Sequence, residues 1–177
     1  MAEPLRPTPA SLYGKENWIF VLTVASAVLI PTAAEANAAT GIDITNILFA
    51  DTAKPSQTTN RVTQERRLGD TVLSEFIGAT TYQGGEMHYQ FDPQGAALSN
   101  GKKAFEKFTA AGTSGFLIER LGIAKATTPV ATNFVNVYPV QIGPSFPLRA
   151  GDAETAEAGM VATFAVTAAP AFNVQLT

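Results

Sequence analysis

His88 is the single histidine of the chain, and histidine is the side chain whose ordinary titration falls near neutral pH, so acid–base or imidazole–metal chemistry would start there. A Ser-His-Asp triad or a His-rich metal site needs partners that the surrounding residues do not announce. Glu86, His88 and Gln90 alternate with apolar neighbours and form one polar face, so His88 reads as a surface residue whose remaining use is to make association pH-dependent. Ser99-Asn100-Gly101-Lys102 spells S-x-x-K, the spacing that sets a serine nucleophile beside a lysine, but neither S-D-N nor K-T-G accompanies it. Ser99 therefore reads as a helix cap. Gly95 and Gly101-Lys102-Lys103 approximate a phosphate loop, yet five residues separate the glycines where four are required, and Lys103 replaces the magnesium-holding Ser or Thr. With no cysteine there is no thiolate nucleophile, thiolate metal site or disulfide. The 15 carboxylates are grouped with no motif, so no catalytic, cofactor-binding or metal residue is assigned and the expectation is a protein that is not an enzyme.

The elements that carry these residues are mostly strands. Thr71–Ala79 is rich in strand formers, Gly84-Gly85 is a two-residue hairpin signal, and Glu86–Phe91 alternates with Met87, Tyr89 and Phe91 on one face. This predicts a hairpin ending in a type I turn at Asp92-Pro93-Gln94-Gly95. Ser99–Ala111 is the expected helix, with Ser99 as cap and Gly112 taking the left-handed turn after it. Ala104, Phe105, Phe108 and Ala111 face one way and Lys102, Lys103, Glu106 and Lys107 the other, so the helix should lie on a sheet as a lid. Phe116–Ile123, Asn133–Ile142 and Met160–Thr167 are further strand candidates.

Upstream, residues 1–17 carry Pro4, Pro7 and Pro9 among small and polar residues, which suits an extended arm. Trp18–Ile30 is an apolar, β-branched run that reads as a long buried strand, or two strands with a bend. It also matches the core of a secretory signal with Ala-Asn-Ala at 36–38, although the preceding region is Pro-rich and charge-balanced rather than short and positive. Ile42–Asp51 predicts an alternating strand with Ile42, Ile44 and Ile47 inward. Asp51–Asn60 is nearly without apolar residues and contains Pro55, so it predicts an exposed loop or the tip of an extended hairpin. Arg61, Arg66 and Arg67 follow as a basic cluster, and Gly151–Gly159 with Asp152, Glu154 and Glu157 is an acidic loop. They read either as a solvated strand edge and a solvated turn or as opposite-charge patches that a contact between subunits could use.

The chain has 177 residues, enough for one domain with a sizeable core. Basic residues number 12 and the net charge is -3, which leaves no polycationic surface for tight nucleic-acid binding. Charged residues are only 15% and hydrophobic ones 46%, the balance of a subunit that buries its exterior against copies of itself, or of a chain with a large core.

Several stretches have a family character: PTAAEANAATGIDIT, TNRVTQERRLGDT, TYQGG with YQFDPQGA, NGKKAFEKF, FVNVYPVQIGP and PAFNVQL. Through them the chain resembles the major tail tube proteins of long-tailed siphophages, in particular those of phages infecting actinobacteria. The resemblance implies a mainly β fold, a tail-tube-type β-sandwich or barrel with one flanking helix. Residues 1–17 would form the arm, 18–170 the body and 171–177 a C-terminal strand or arm. It further implies hexameric rings stacked into a hollow tube, a virion component assembled in the host cytoplasm and without membrane insertion. Duplex DNA would pass through the bore without specific contacts.

Other copies of the chain, a tape measure protein, a tail terminator and a distal tail protein are the implied partners, and no cofactor is implied. The long loop Asp51–Gly69 would reach the next ring. The contact candidates are Asp51, Lys54, Arg61, Arg66, Arg67, Asp152, Glu154 and Glu157, and the candidates for the bore are Glu86, His88 and Gln90. A neutral or acidic bore would deny the phosphates fixed cationic partners. The alternative is a secreted β-sandwich binding module from which residues 1–38 are cleaved.

Overall fold

A computed structural model of the chain describes residues 11–37, 41–96, 99–108, 112–148 and 157–177. In chain order the elements are β1 (Glu16–Val21), α1 (Ala33–Ala36), β2 (Ile42–Asp43), β3 (Ser56–Thr63), β4 (Glu75–Gln83) and β5 (Gly85–Gln90). They continue with α2 (Asn100–Phe108), β6 (Thr113–Leu121), β7 (Phe134–Leu148), β8 (Gly159–Val166) and β9 (Ala171–Gln175). The fold is mainly β, as expected, and its centre is one curled antiparallel sheet in the order β2-β1-β6-β7-β8-β5. The 15-residue β7 is its spine. One edge of β7 pairs with β6, while β8 and then β9 take successive stretches of the other.

A curled sheet leaves two raw edges, and one segment covers both. Ile42 and Asp43 pair with β1, and residues 47–53 then run along the free side of β5. Phe49 N–H donates to the His88 carbonyl at 2.9 Å, Gln90 N–H to Ile47 at 2.7 Å and Ala53 N–H to Glu86 at 2.9 Å. The β5 backbone groups are thereby satisfied and a ready template for stray pairing is removed. Inside, alternate residues of the strands meet. Phe20, Tyr89, Val140, Ile142, Ala162 and Phe164 are buried together, and Phe108 of α2 stands edge-on to Phe20 and Tyr89 at 5.1 and 5.9 Å. Thus α2 plugs the interior with Phe108 and Ala104, and Phe105 stacks on Phe91 at 4.6 Å.

The opposite face of the sheet is covered as well. Ile19, Val21, Ile118, Val135 and Val137 pack there with Ala36 and Leu176. This explains the misread start of the chain: β1 ends at Val21 rather than running to Ile30, and Val24 and Leu29 fold back over that second face. Leu29 adopts a left-handed backbone at φ 56, which a continuing strand cannot hold. An apolar run that covers a core has the same composition as one inside it. Because β1 lies between β2 and β6 with its residues buried, removal of residues 1–38 would take out an interior strand, which counts against the export alternative.

α1 is fastened by a capping box. Glu35 N–H donates to Thr32 Oγ1 at 3.0 Å, and the Glu35 carboxylate accepts the backbone N–H groups of Thr32 and Ala25, each at 2.7 Å. The Thr32 and Ala25 bonds hold the Glu35 carboxyl below its ordinary value. A lowered folded-state value stabilises the fold above the unfolded carboxylate range, and the gain is lost as pH falls through the folded value. Glu35→Ala should therefore cost about 1 kcal/mol at neutral pH, with the gap from wild type closing in acid. Paired thermal melts across pH check this, and a gap that widens in acid would refute it.

Further corrections concern the hairpins. β4 and β5 do not pair with each other across Gly84-Gly85: β4 pairs with β3, and β5 pairs with β8. Gly84 is small because the β8 backbone crosses it, not because the chain turns there. The polar stretch read as loop or tip becomes, from Ser56, the first strand of a projecting hairpin, whose tip is residues 64–74. The Ile42–Asp51 strand shrinks to Ile42–Asp43, yet Ile42, Ile44 and Ile47 all face the core as expected. The Asp92–Gly95 turn forms, with Gly95 N–H donating to the Asp92 carbonyl at 3.1 Å. Gly112 is left-handed at φ 82, and Ala111 lies outside the described residues.

Candidate assembly surfaces

The residues singled out for chemistry are used for structure. Ser99 Oγ accepts the Lys102 N–H at 3.4 Å, as a cap does, and Lys102 Nζ donates to the Gly95 carbonyl at 2.9 Å. Tyr89 Oη lies 2.5 Å from Ser145 Oγ, and burial pushes this phenol up to about 12, so it stays protonated. Among the described residues no group of His, Asp and Glu side chains is arranged to hold a metal ion.

The surface that stands out is the β3–β4 hairpin. It forms a two-stranded sheet of its own. Arg61 is opposite Ile77 and Val62 opposite Phe76. Neighbouring rungs point to opposite sides of a ribbon, so both faces carry a large apolar residue. Phe76 is 57% and Ile77 75% exposed, and at the tip Leu68 is fully exposed and Val72 79%. Fully burying such a side chain is worth about 1.5–3 kcal/mol, and the hairpin forgoes that gain within its own chain. An isolated two-stranded ribbon is marginal in water. Toward the body the ribbon is uncharged, with Gln57, Thr58 and Thr59 facing Tyr82, Thr81 and Thr80.

Arg61, Arg66 and Arg67 are all exposed on this hairpin, and among the described residues none of them is paired with a carboxylate. The tip is shaped locally by Asp70, whose carboxylate accepts the Arg67 N–H at 2.9 Å. Of the acidic residues of that loop Glu157 is described, exposed just before β8; Asp152 and Glu154 lie outside the described residues.

Two other predicted sets meet at the root of the hairpin. Glu86, His88 and Gln90 share the outer face of β5, and Asp51 joins them: His88 Nδ1 lies 2.8 Å from Asp51 Oδ2, and His88 Nε2 lies 3.7 Å from Glu86 Oε2. Lys54 is held by Glu16, whose carboxylate also accepts the Trp18 indole N–H at 2.6 Å. Burial pushes the Glu16 carboxyl up, but the bonds from Lys54 and Trp18 and the Lys54 charge outweigh it and leave the group lowered.

Beside this network an apolar cavity of about 620 Å³ opens into the barrel interior, lined by Trp18, Ile44, Phe49, Leu117 and Phe164 among others. Sequence reasoning missed this mouth because its lining comes from distant segments that only the closed sheet brings together. It also missed Phe76 and Ile77; the available signal was two adjacent bulky apolar residues in a ribbon rich in Thr and Gln.

A family model described as Phage tail tube protein matches residues 6–177 of the chain. A search of curated proteins finds no match.

Proposed function

The chain belongs to the phage tail tube proteins, and we propose that its copies close into hexameric rings that stack into the hollow tube through which the genome leaves. The observation that carries this reading is the β3–β4 hairpin. It projects from the body with apolar side chains on both faces and, among the described residues, both outer strand edges unpaired, and a neighbouring copy removes both liabilities at once. A ring needs heterologous surfaces, one donating and one receiving, and the exposed arginines of the hairpin are separate from the Asp51–His88–Glu86 network. The role is structural rather than catalytic.

With 12 basic residues against 15 acidic, the subunit gives passing duplex few fixed cations to stick to. In this reading the tube is laid down around a tape measure protein, between a distal tail protein and a tail terminator, in the host cytoplasm. Negative-stain electron microscopy with mass photometry tests it. Purified protein is expected to give rings or hollow tubes with a six-fold mass step; a strictly monomeric protein at high concentration, with no tube in any condition, would sink the proposal.

A further inference from the structure

Ser99-Asn100-Gly101-Lys102 is not a nucleophile motif, but it contains the one Asn-Gly pair of the chain. Asparagine followed by glycine is the pair in which a polypeptide most readily modifies itself. The backbone nitrogen of the second residue attacks the side-chain amide carbon, a five-membered imide closes, and the N–H proton leaves with the amide nitrogen as ammonia. Water then opens the imide on either side, giving aspartate or, with the backbone rerouted through the side chain, isoaspartate. Glycine in second place favours the attack because it has no Cβ to shield the nitrogen and the least restricted backbone.

Packing leaves the chain no other pair at this place. A Cβ on residue 101 would lie 2.5 Å from the carbonyl oxygen of Gln90, the last residue of β5, so glycine alone fits. Asn100 Nδ2 donates to the Asp43 carbonyl of β2 at 2.8 Å, a bond that an ionised aspartate, with acceptors only, cannot make. The first two residues of α2 are thus seated against β2 and β5, and the helix they start carries the Phe108 and Ala104 that plug the interior. Two separate packing demands together specify a labile dipeptide.

The same contacts hold it still. Attack requires the Asn100 amide carbon to swing over its own backbone toward the Gly101 nitrogen. In the folded chain that amide is directed at β2 instead, both residues belong to α2, and Gly101 is buried.

We infer that Asn100-Gly101 is a self-modification site that folding locks. While α2 is seated, imide formation is suppressed; a chain that stays open converts Asn100 to aspartate or isoaspartate and does not return, because the ammonia is lost. The product turns a carboxylate toward the Asp43 carbonyl in place of a donor, and isoaspartate also adds a methylene to the backbone at the first position of the helix. A converted chain seats α2 poorly and opens more readily. The pair records time spent unfolded, and the inference stands independently of the tube reading.

The wild-type chain is incubated in mildly alkaline buffer at body temperature, one sample folded and one unfolded in urea. Peptide mapping by mass spectrometry follows the amide-to-acid change at position 100, with isoaspartate separated from aspartate by retention. In urea Asn100 is expected to convert ahead of the other asparagines. In the folded sample its conversion should be at least about tenfold slower, since it then waits for an opening of the structure. Equal rates in the two samples would overturn the lock, and an Asn100 that stays intact in urea while other asparagines convert would overturn the site.

A second measurement addresses the consequence for α2. Asn100→Asp makes the aspartate product directly. A carboxylate gains from its place at a helix start, but loss of the Asp43 bond and the contact of carboxylate with carbonyl oxygen outweigh this. The variant is expected to melt a few degrees below wild type. Melting at or above the wild-type temperature would overturn the claim that conversion loosens the helix.

Discussion

Excising residues 57–82 and joining Ser56 to Gln83 through Asn-Gly is expected to leave a folded monomer that makes no tubes. Ser56 and Gln83 face each other as the first rung of the hairpin, so their Cα atoms already sit about 5 Å apart, a gap that a two-residue type I′ turn spans. The body loses little, because among the described residues the buried clusters contain none from β3 or β4. The excision even removes exposed Phe76, Ile77 and Leu68, a gain in solubility. Thermal melts should therefore stay within a few degrees of wild type, since about 1 kcal/mol corresponds to roughly 2–4 °C in a chain of this size. Electron microscopy should show complete loss of tubes. Tubes from the shortened chain would eliminate the hairpin as the assembly element; collapse of the melt would make it part of the body instead.

Gly84→Ala should be the most damaging single methyl group in the body. β4 passes directly into β5 through this residue, and a Cβ there would lie 1.9 Å from the Phe164 carbonyl oxygen and 2.7 Å from its carbon. The obstruction is backbone of β8, which is fixed by its pairing to both β5 and β7, so it cannot swing aside as a side chain would. Overpacking of this kind costs about 3 kcal/mol, which at this size lowers Tm by about 10 °C. A melt within a degree or two of wild type would show that the strands separate easily here. The same close approach sets where the hairpin leaves the body, so assembly should suffer more than the lost stability alone explains.

What the sequence made legible was periodicity. The alternation of Met87 and Tyr89, the capped stripe Ala104–Phe108, and the inward set Ile42, Ile44 and Ile47 all read correctly, because each depends on neighbours within one element. What it hid were contacts that depend on partners elsewhere. Gly84 has the look of a turn glycine, and the crossing by Phe164, far along the chain, is what makes it a packing glycine. Arg120 is buried at 1% exposure and ties down the loop after β6 through Asn133, Ala124 and Thr127, yet in sequence it is one more surface-type cation. Of the surface residues, Arg61, Arg66 and Arg67 stood out by clustering. The approach of Asp51 to His88, by contrast, needed the edge pairing of residues 47–53 with β5.

That edge pairing also orders events in time. The hairpin is local: β3 and β4 meet through a short connection, and such ribbons close in microseconds. The barrel is not, since β1 waits for β6 and β5 waits for β8, and non-local closure is slow. The body is therefore completed last, when Trp18, Leu117 and Phe164 arrive together. A tube built of such subunits would grow at the pace of their slow, non-local closure.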